Sequence, residues 1–164
     1  MDGPHRLLDS VEAGVDVFTM PLINRGTDHG FALVFSFDDT QEVETHSKPH
    51  ALALDMWSDA YATDLSPLRE GCQCYTCKHH HRAYLSHLLK TKEMLSWVLL
   101  QLHNYHVIDA FFENIRLSIE SGNFSRDKAI FFRTYENVWP AKTGQEPRSV
   151  RTVPKFMLTE VRRS

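Results

Sequence analysis

The chain's three cysteines, Cys72, Cys74 and Cys77, fall within six residues. An odd number this crowded is no disulfide framework; the pattern of a reducing-compartment protein is a metal loop. As thiolates they present three soft donors from one tight turn, the set that favours structural Zn²⁺. A tetrahedral site needs one more ligand, and His79, His80, His81, His87, His103 and His106 are the imidazoles nearest in the chain. A straight helix from Arg82 would carry His103 about 30 Å away at 1.5 Å per residue, but a break near Thr91 folds the second helix back. Nine residues out and twelve back return His103 to the cysteines. Geometry therefore favours His103. Its rival is the triplet His79 to His81, where three thiolates and a histidine would crowd one turn and leave nothing to pin the second helix. Four protein ligands close the coordination sphere and leave no position for a reacting water, so the expected role is structural. Binding of that kind is worth on the order of 10 kcal/mol in small zinc peptides. Lys78 and Arg82 lie close enough in sequence to offset the formal charge of the site.

The elements that position these residues are legible from periodicity. Leu7, Leu8 and Val11 recur at helical spacing from Arg6 to Ala13, and Gly14 supplies a C-terminal stop. Val15, Val17 and Phe18 form a β-branched and aromatic run, and Phe31 to Phe37 (FALVFSF) is apolar on both faces, so both read as buried strands. Asn24 to Gly30 (NRGTDHG) between them reads as a loop. A helix followed by a buried strand is α/β grammar. Asp38 to His50 is polar and acidic and reads as an exposed connection. Leu52, Leu54 and Met56 alternate with Ala53 and Asp55 as a short strand, and Ser66-Pro67 through Gly71 form the turn that presents the cysteines. From Arg82 the positions Leu85, Leu88, Leu89, Leu95, Val98, Leu99 and Leu102 keep a helical period as an inward face, with Thr91 as the N-cap that divides the run. A further helix, roughly Val107 to Ser121, places Ile108, Phe111, Phe112, Ile115 and Ile119 inside and stops at Gly122. Beyond Pro140 basic residues outnumber acidic ones and two prolines interrupt any helix, which predicts a mobile basic tail.

At 164 residues the chain can bury one core rather than two. Eighteen Lys and Arg against 21 Asp and Glu give a net charge of -3. That excludes a module that binds nucleic acid by bulk charge, so any RNA contact must be local and no DNA partner is expected. The longest apolar runs are far short of the roughly 20 residues of a transmembrane segment. The charged residues from Met1 to Ser10 exclude a secretory signal there, which predicts a soluble, cytoplasmic protein.

The stretch CQCYTCKHHHRAYLSHLL from Cys72 to Leu89, followed by LLQLHN ending in His103 and Asn104, resembles the zinc subdomain of the tRNA-guanine transglycosylases. The cysteine spacing, the RAYL helix from Arg82 to Leu85 and the His-Asn pair all match. The segment GVDVFTM from Gly14 to Met20, with Arg25 and Gly30-Phe31-Ala32, resembles the family's last barrel strand and the loop after it. The resemblance covers about Leu7 to Asn123. It implies the C-terminal part of a (β/α)8 TIM barrel with an inserted helical zinc-binding subdomain, one structural Zn²⁺ per chain, and Cys72, Cys74, Cys77 and His103 as its ligands. A full barrel needs about 250 residues, so the chain looks like a fragment or truncated product. The expected divisions are 1–66 for closing barrel elements with the acidic loop, 67–123 for the zinc subdomain and following helix, and 124–164 for the C-terminal segment and tail.

The family's nucleophile is an aspartate directly after the Phe of its G-V-D-x-F motif, and here that position is Thr19. No catalytic residue is therefore expected. The resemblance is strongest to the eukaryotic branch in which this carboxylate is absent. That branch implies a non-catalytic subunit of queuine tRNA-ribosyltransferase, supporting exchange of guanine for queuine at the wobble position by forming a heterodimer with a catalytic subunit and helping to hold tRNA. The other reading is a stand-alone zinc-stabilised interaction module with no tRNA-modification role. Tyr84, Leu88, Trp97, Tyr105 and Phe111 supply the apolar area on which a second chain is expected to pack.

Overall fold

The computed structural model describes residues 3–38, 49–141 and 143–144. Most of the acidic connection and nearly all of the basic tail read from the sequence lie outside these residues. The chain is helix-rich with one small sheet: α1 (Pro4–Glu12), α2 (Pro21–His29), β1 (Phe31–Leu33), β2 (Ala53–Asp55), α3 (Tyr75–His79), α4 (Arg82–Lys90), α5 (Met94–Glu120) and α6 (Phe124–Thr134). β1 and β2 are antiparallel, with Ala32 opposite Leu54. No described helix is long and apolar enough to cross a membrane.

Buried side chains divide into two clusters rather than the single core expected. One gathers α1, α2, the aromatic run Phe31, Phe35 and Phe37, the second half of α5 and Phe131 of α6. The other joins Ala32, Met56 and Leu68 to α4 and to Leu99 and Leu100 of α5. β1 is the wall between them, because alternate side chains of a strand point to opposite faces. Phe31 and Leu33 enter the first cluster and Ala32 the second. At 27 residues and 1.5 Å each, α5 is about 40 Å long and runs through both clusters.

Several expectations are corrected. Val15 to Phe18 is not a buried strand: no described segment pairs with it, and Val17 is 86% exposed. A strand exists only beside a neighbour that takes its hydrogen bonds, which β-propensity alone cannot supply. Asn24 to Gly30 is not a loop. It belongs to α2, which has Pro21 in its first turn and ends on Gly30 in the left-handed region at φ 78°. That is the Pro-start, Gly-stop signature of a helix, hidden under polar residues at the exposed positions. α6 was not anticipated at all. Thr91 does not cap α5. It ends α4, its hydroxyl donating to the His87 and Leu88 carbonyls, while the Lys92 and Glu93 N–H groups close a Schellman-type turn onto Leu89 and Leu88.

The separate helix expected from about Val107 to Ser121 is the continuation of α5. Of the residues expected inside, Leu99, Ile108, Phe111 and Ile115 are buried, whereas Leu95, Val98, Leu102 and Ile119 are exposed. In the first half of the helix, where apolar residues occur on both sides, the inward face is instead Ser96, Leu99, Leu100 and His103. Of the five residues proposed as partner surface, Leu88 and Phe111 are buried in the chain's own clusters and Tyr84 and Trp97 pack against the second. Only Tyr105 stands exposed.

Gly30 and Gly26 differ in what they tolerate. A Cβ on Gly30 would run into the Trp57 indole and require a left-handed backbone, whereas one on Gly26 meets Leu33 at an ordinary 3.7 Å. Gly26→Ala should leave stability unchanged or raise it by up to about 1 kcal/mol through helix propensity, and Gly30→Ala should lower it by more than about 1 kcal/mol. Urea unfolding midpoints read both.

Candidate metal centre

Gly71, at φ 72°, turns the chain into Cys72. Cys74 then caps α3, its sulfur accepting from the Cys77 N–H at 3.3 Å. That cap brings Cys74 and Cys77 to the same side of one short turn. Thr76, fully buried, donates to the Leu99 carbonyl at 2.7 Å and so fixes α3 to α5. His81 begins α4 by accepting from the Tyr84 N–H. Arg82 clamps the preceding turn, pairing with Asp64 at 3.0 Å and donating to the Pro67 and Leu68 carbonyls. Its guanidinium is committed there rather than to the sulfurs. Asp64 is held below the usual carboxylate range by the Ser66 N–H and hydroxyl first and by Arg82 after them.

α4 and α5 fold back on one another at the Thr91–Glu93 turn, which returns His103 to the cysteines. Its Nδ1 lies 3.8, 3.4 and 3.4 Å from the sulfurs of Cys72, Cys74 and Cys77. The four donor atoms all lie within 4.8 Å of one another, an arrangement that could hold a metal ion. Bond lengths of about 2.3 Å to sulfur and 2.0–2.1 Å to nitrogen in a tetrahedron set a sulfur–nitrogen separation of about 3.6 Å. The observed distances bracket it, so the residues present fit a tetrahedral ion of that size. The other ring nitrogen decides which atom is offered. His103 Nε2 donates to the Leu33 carbonyl at 2.8 Å, so Nδ1 is the nitrogen turned toward the sulfurs. The triplet His79 to His81 is not part of the group.

Charge in this group is shared. Hydrogen bonds from Cys74 and Cys77 hold the Cys72 thiol far below its ordinary range, and the contacts with Cys72 and Cys74 push Cys77 up. For His103 burial opposes the charged form, but the sulfurs of Cys72 and Cys74 and the Leu33 carbonyl outweigh it and raise the imidazole to about 9.

Asn104, fully buried beside His103, is the residue that spacing arguments missed. Its Oδ1 accepts from the Leu33 N–H at 2.9 Å, and its Nδ2 donates to the Phe31 carbonyl at 2.9 Å and to the Thr27 hydroxyl at 3.1 Å. Adjacent residues of α5 thus hold the same strand, one through the Leu33 carbonyl and the other through its N–H. The signal available was its place directly after His103 on the return helix. Thr19, the residue at the expected nucleophile position, is exposed immediately before α2.

A helix-rich fold whose hairpin of helices is gathered by a Cys₃His group defines a protein with a helical unit that could hold a metal ion. The match to known proteins narrows that class: the family described as queuine tRNA-ribosyltransferase (TGT) covers residues 1–137, and the chain belongs to this family. It is 42% identical over 147 residues, 90% of its length, to the queuine tRNA-ribosyltransferase accessory subunit 2 of Schizosaccharomyces pombe, covering 33% of that protein. The proteins of the same description from Anopheles gambiae and Homo sapiens are 44% and 33% identical, over 69% and 79% of this chain and 26% and 38% of theirs. The chain therefore spans about a third of the length of the curated relatives it matches.

Two measurements follow from the geometry. His103→Ala should lose most bound metal in elemental analysis, whereas Ala at all three of His79, His80 and His81 should retain it; the reverse result sinks the ligand set. Because the metal-free imidazole is charged below about pH 9, an entering ion must displace its proton. Affinity should therefore fall as pH drops below about 9, by up to about tenfold per unit for that proton alone, in chelator competition.

Proposed function

We propose that the chain supplies the non-catalytic subunit of a queuine tRNA-ribosyltransferase, pairing with a catalytic subunit and helping to hold tRNA while guanine is exchanged for queuine at the wobble position. The observation that carries this reading is the identity to relatives described as accessory subunits, which extends over 69–90% of the chain. The Cys₃His group would hold one structural Zn²⁺ through Cys72, Cys74, Cys77 and His103, the soft donor set suiting that ion. With all four positions taken by protein, the ion's part is to fix the α3–α4–α5 hairpin. The place of work for such a subunit is the cytoplasm.

Residues 1–66 are assigned to the closing part of a (β/α)8 barrel, 67–123 to the zinc subdomain and 124–164 to a C-terminal segment. The unpaired run Val15 to Phe18, rich in strand formers and exposed, supports a strand whose neighbours belong to another part of that barrel.

Thr19 supports the non-catalytic assignment. Exchange of a base at C1′ of a ribose asks for an anionic oxygen that attacks, stabilises the developing positive charge and holds the RNA covalently until the new base arrives. A neutral hydroxyl does none of this without a base to ionise it. Among the described residues, those sharing a cavity with Thr19 include no histidine and no carboxylate. For association, Leu95, Val98, Leu102 and Tyr105 lie exposed at i, i+3, i+7 and i+10 of α5, a stripe suited to a partner helix.

The expected results are co-purification with a catalytic transglycosylase chain, weakened at least about tenfold by Leu102→Asp, and no release of radiolabelled guanine from tRNA by this chain alone. Exchange by the chain alone that disappears in Thr19→Ala overturns the non-catalytic role. Failure to associate overturns the accessory role.

A further inference from the structure

The segment after α6 crosses from one hydrophobic cluster to the other. Tyr135 and Trp139 belong with the first, and a few residues on, Thr143 reaches the end of β2 beside Trp57, which packs against the second. There the Thr143 N–H and hydroxyl both donate to Oδ2 of Asp55, whose Oδ1 accepts from the Trp57 N–H. Asp55 is buried, so its charge depends on these donors, two of which come from Thr143. Gly144 then lies on the Trp57 indole, so close that a Cβ added to it would run into the ring. Trp57 in turn stands edge-on to Trp97 of α5, with ring centroids 6.5 Å apart. The segment is thus a strap closed on one carboxylate oxygen and one aromatic ring.

We propose that Thr143 is a phosphorylation site and that its phosphate opens this strap. Thr143-Gly144-Gln145-Glu146 places a carboxylate three residues after the hydroxyl, a pattern suited to a protein kinase with a basic substrate groove. Thr143 is itself exposed, so local opening of a segment near its end presents the hydroxyl to an enzyme. The Thr143 oxygen attacks the γ-phosphorus of ATP, the bond from that phosphorus to the bridging oxygen breaks, ADP leaves and the hydroxyl proton is released. The product exchanges a hydrogen-bond donor for a charge of about -1.5 to -2 at pH 7, set against the Asp55 carboxylate. The two anions repel, Gly144 is drawn off the indole, and Trp57 gains access to water. Neither a catalytic chain nor tRNA enters this device, so it stands or falls apart from the accessory role.

The test uses the full 164-residue chain with Mg²⁺-ATP and an acidophilic Ser/Thr kinase, and reads phosphate position and amide hydrogen exchange by mass spectrometry. Phosphate is expected on Thr143, and Glu146→Lys should slow its incorporation at least about tenfold through like charge in the kinase groove. Exchange in the peptide carrying Trp57, whose N–H is bonded to Asp55, should rise at least about tenfold in the phosphorylated chain and in Thr143→Glu, as loss of hydrogen bonds to a charged acceptor implies. Thr143→Ser keeps the hydroxyl and should stay within about threefold of the native chain. Unchanged exchange around His103 in each sample separates an opened strap from a lost fold. Absence of phosphate from Thr143, while the same kinase labels a control peptide, overturns the site. An unchanged Trp57 peptide in the phosphorylated chain overturns the strap.

Discussion

The imidazole of His103 is the constraint on which the structure turns. One nitrogen faces three sulfurs and the other is anchored to the Leu33 carbonyl, so a buried ring with no exposed surface joins the cysteine turn to the sheet. Neither contact can shift without disturbing the other. Without His103 the cysteine turn would be tied to α5 by the Thr76 hydroxyl alone among the described hydrogen bonds, whereas His103 reaches the cysteines and the sheet from one ring.

Asn104 extends that constraint. By accepting from the Leu33 N–H and donating to the Phe31 carbonyl, it gives β1 along its outer side what a third strand would have given. A two-stranded sheet is marginal by itself, and here side chains of a helix complete its polar groups. The two hydrophobic clusters consequently share a wall, to which the Cys₃His group and α5 are both tied. Near α2 the arrangement differs: exposed polar groups and an open cavity occur beside Thr19, where the chain's own packing ends.

Legibility in the sequence followed the physics of each signal. The convergence of Cys72, Cys74, Cys77 and His103 was readable because three cysteines within six residues mark one turn, and a return helix is a short geometric calculation from Arg82 through Thr91 to His103. The helix stops at Gly14 and Gly122 were readable because each needs a left-handed residue there, which both adopt. Val15 to Phe18 misled because β-propensity describes a side chain's fit to a sheet and says nothing of whether a neighbour is present. α2 was missed because NRGTDHG looks like a loop when the Pro21 and Gly30 that bracket it are not read together. The inward face of α5 was readable from Ile108 to Ile115 and not from Leu95 to Leu102, where the outer stripe is as apolar as the inner one. Asn104 was invisible to any spacing rule, because its partners are backbone atoms far away in sequence.

The unbroken length of α5 has a mechanical consequence. A continuous α-helix is a stiff rod, and its hydrogen bonds resist a local hinge. One end of this rod carries the exposed stripe from Leu95 to Tyr105, its middle carries His103 and Asn104, and its far half is embedded among the phenylalanines of the first cluster. The exposed stripe, the buried His103–Asn104 pair and the aromatic packing of Phe111 and Ile115 therefore share one helix axis, so the position of any one of them sets the positions of the other two.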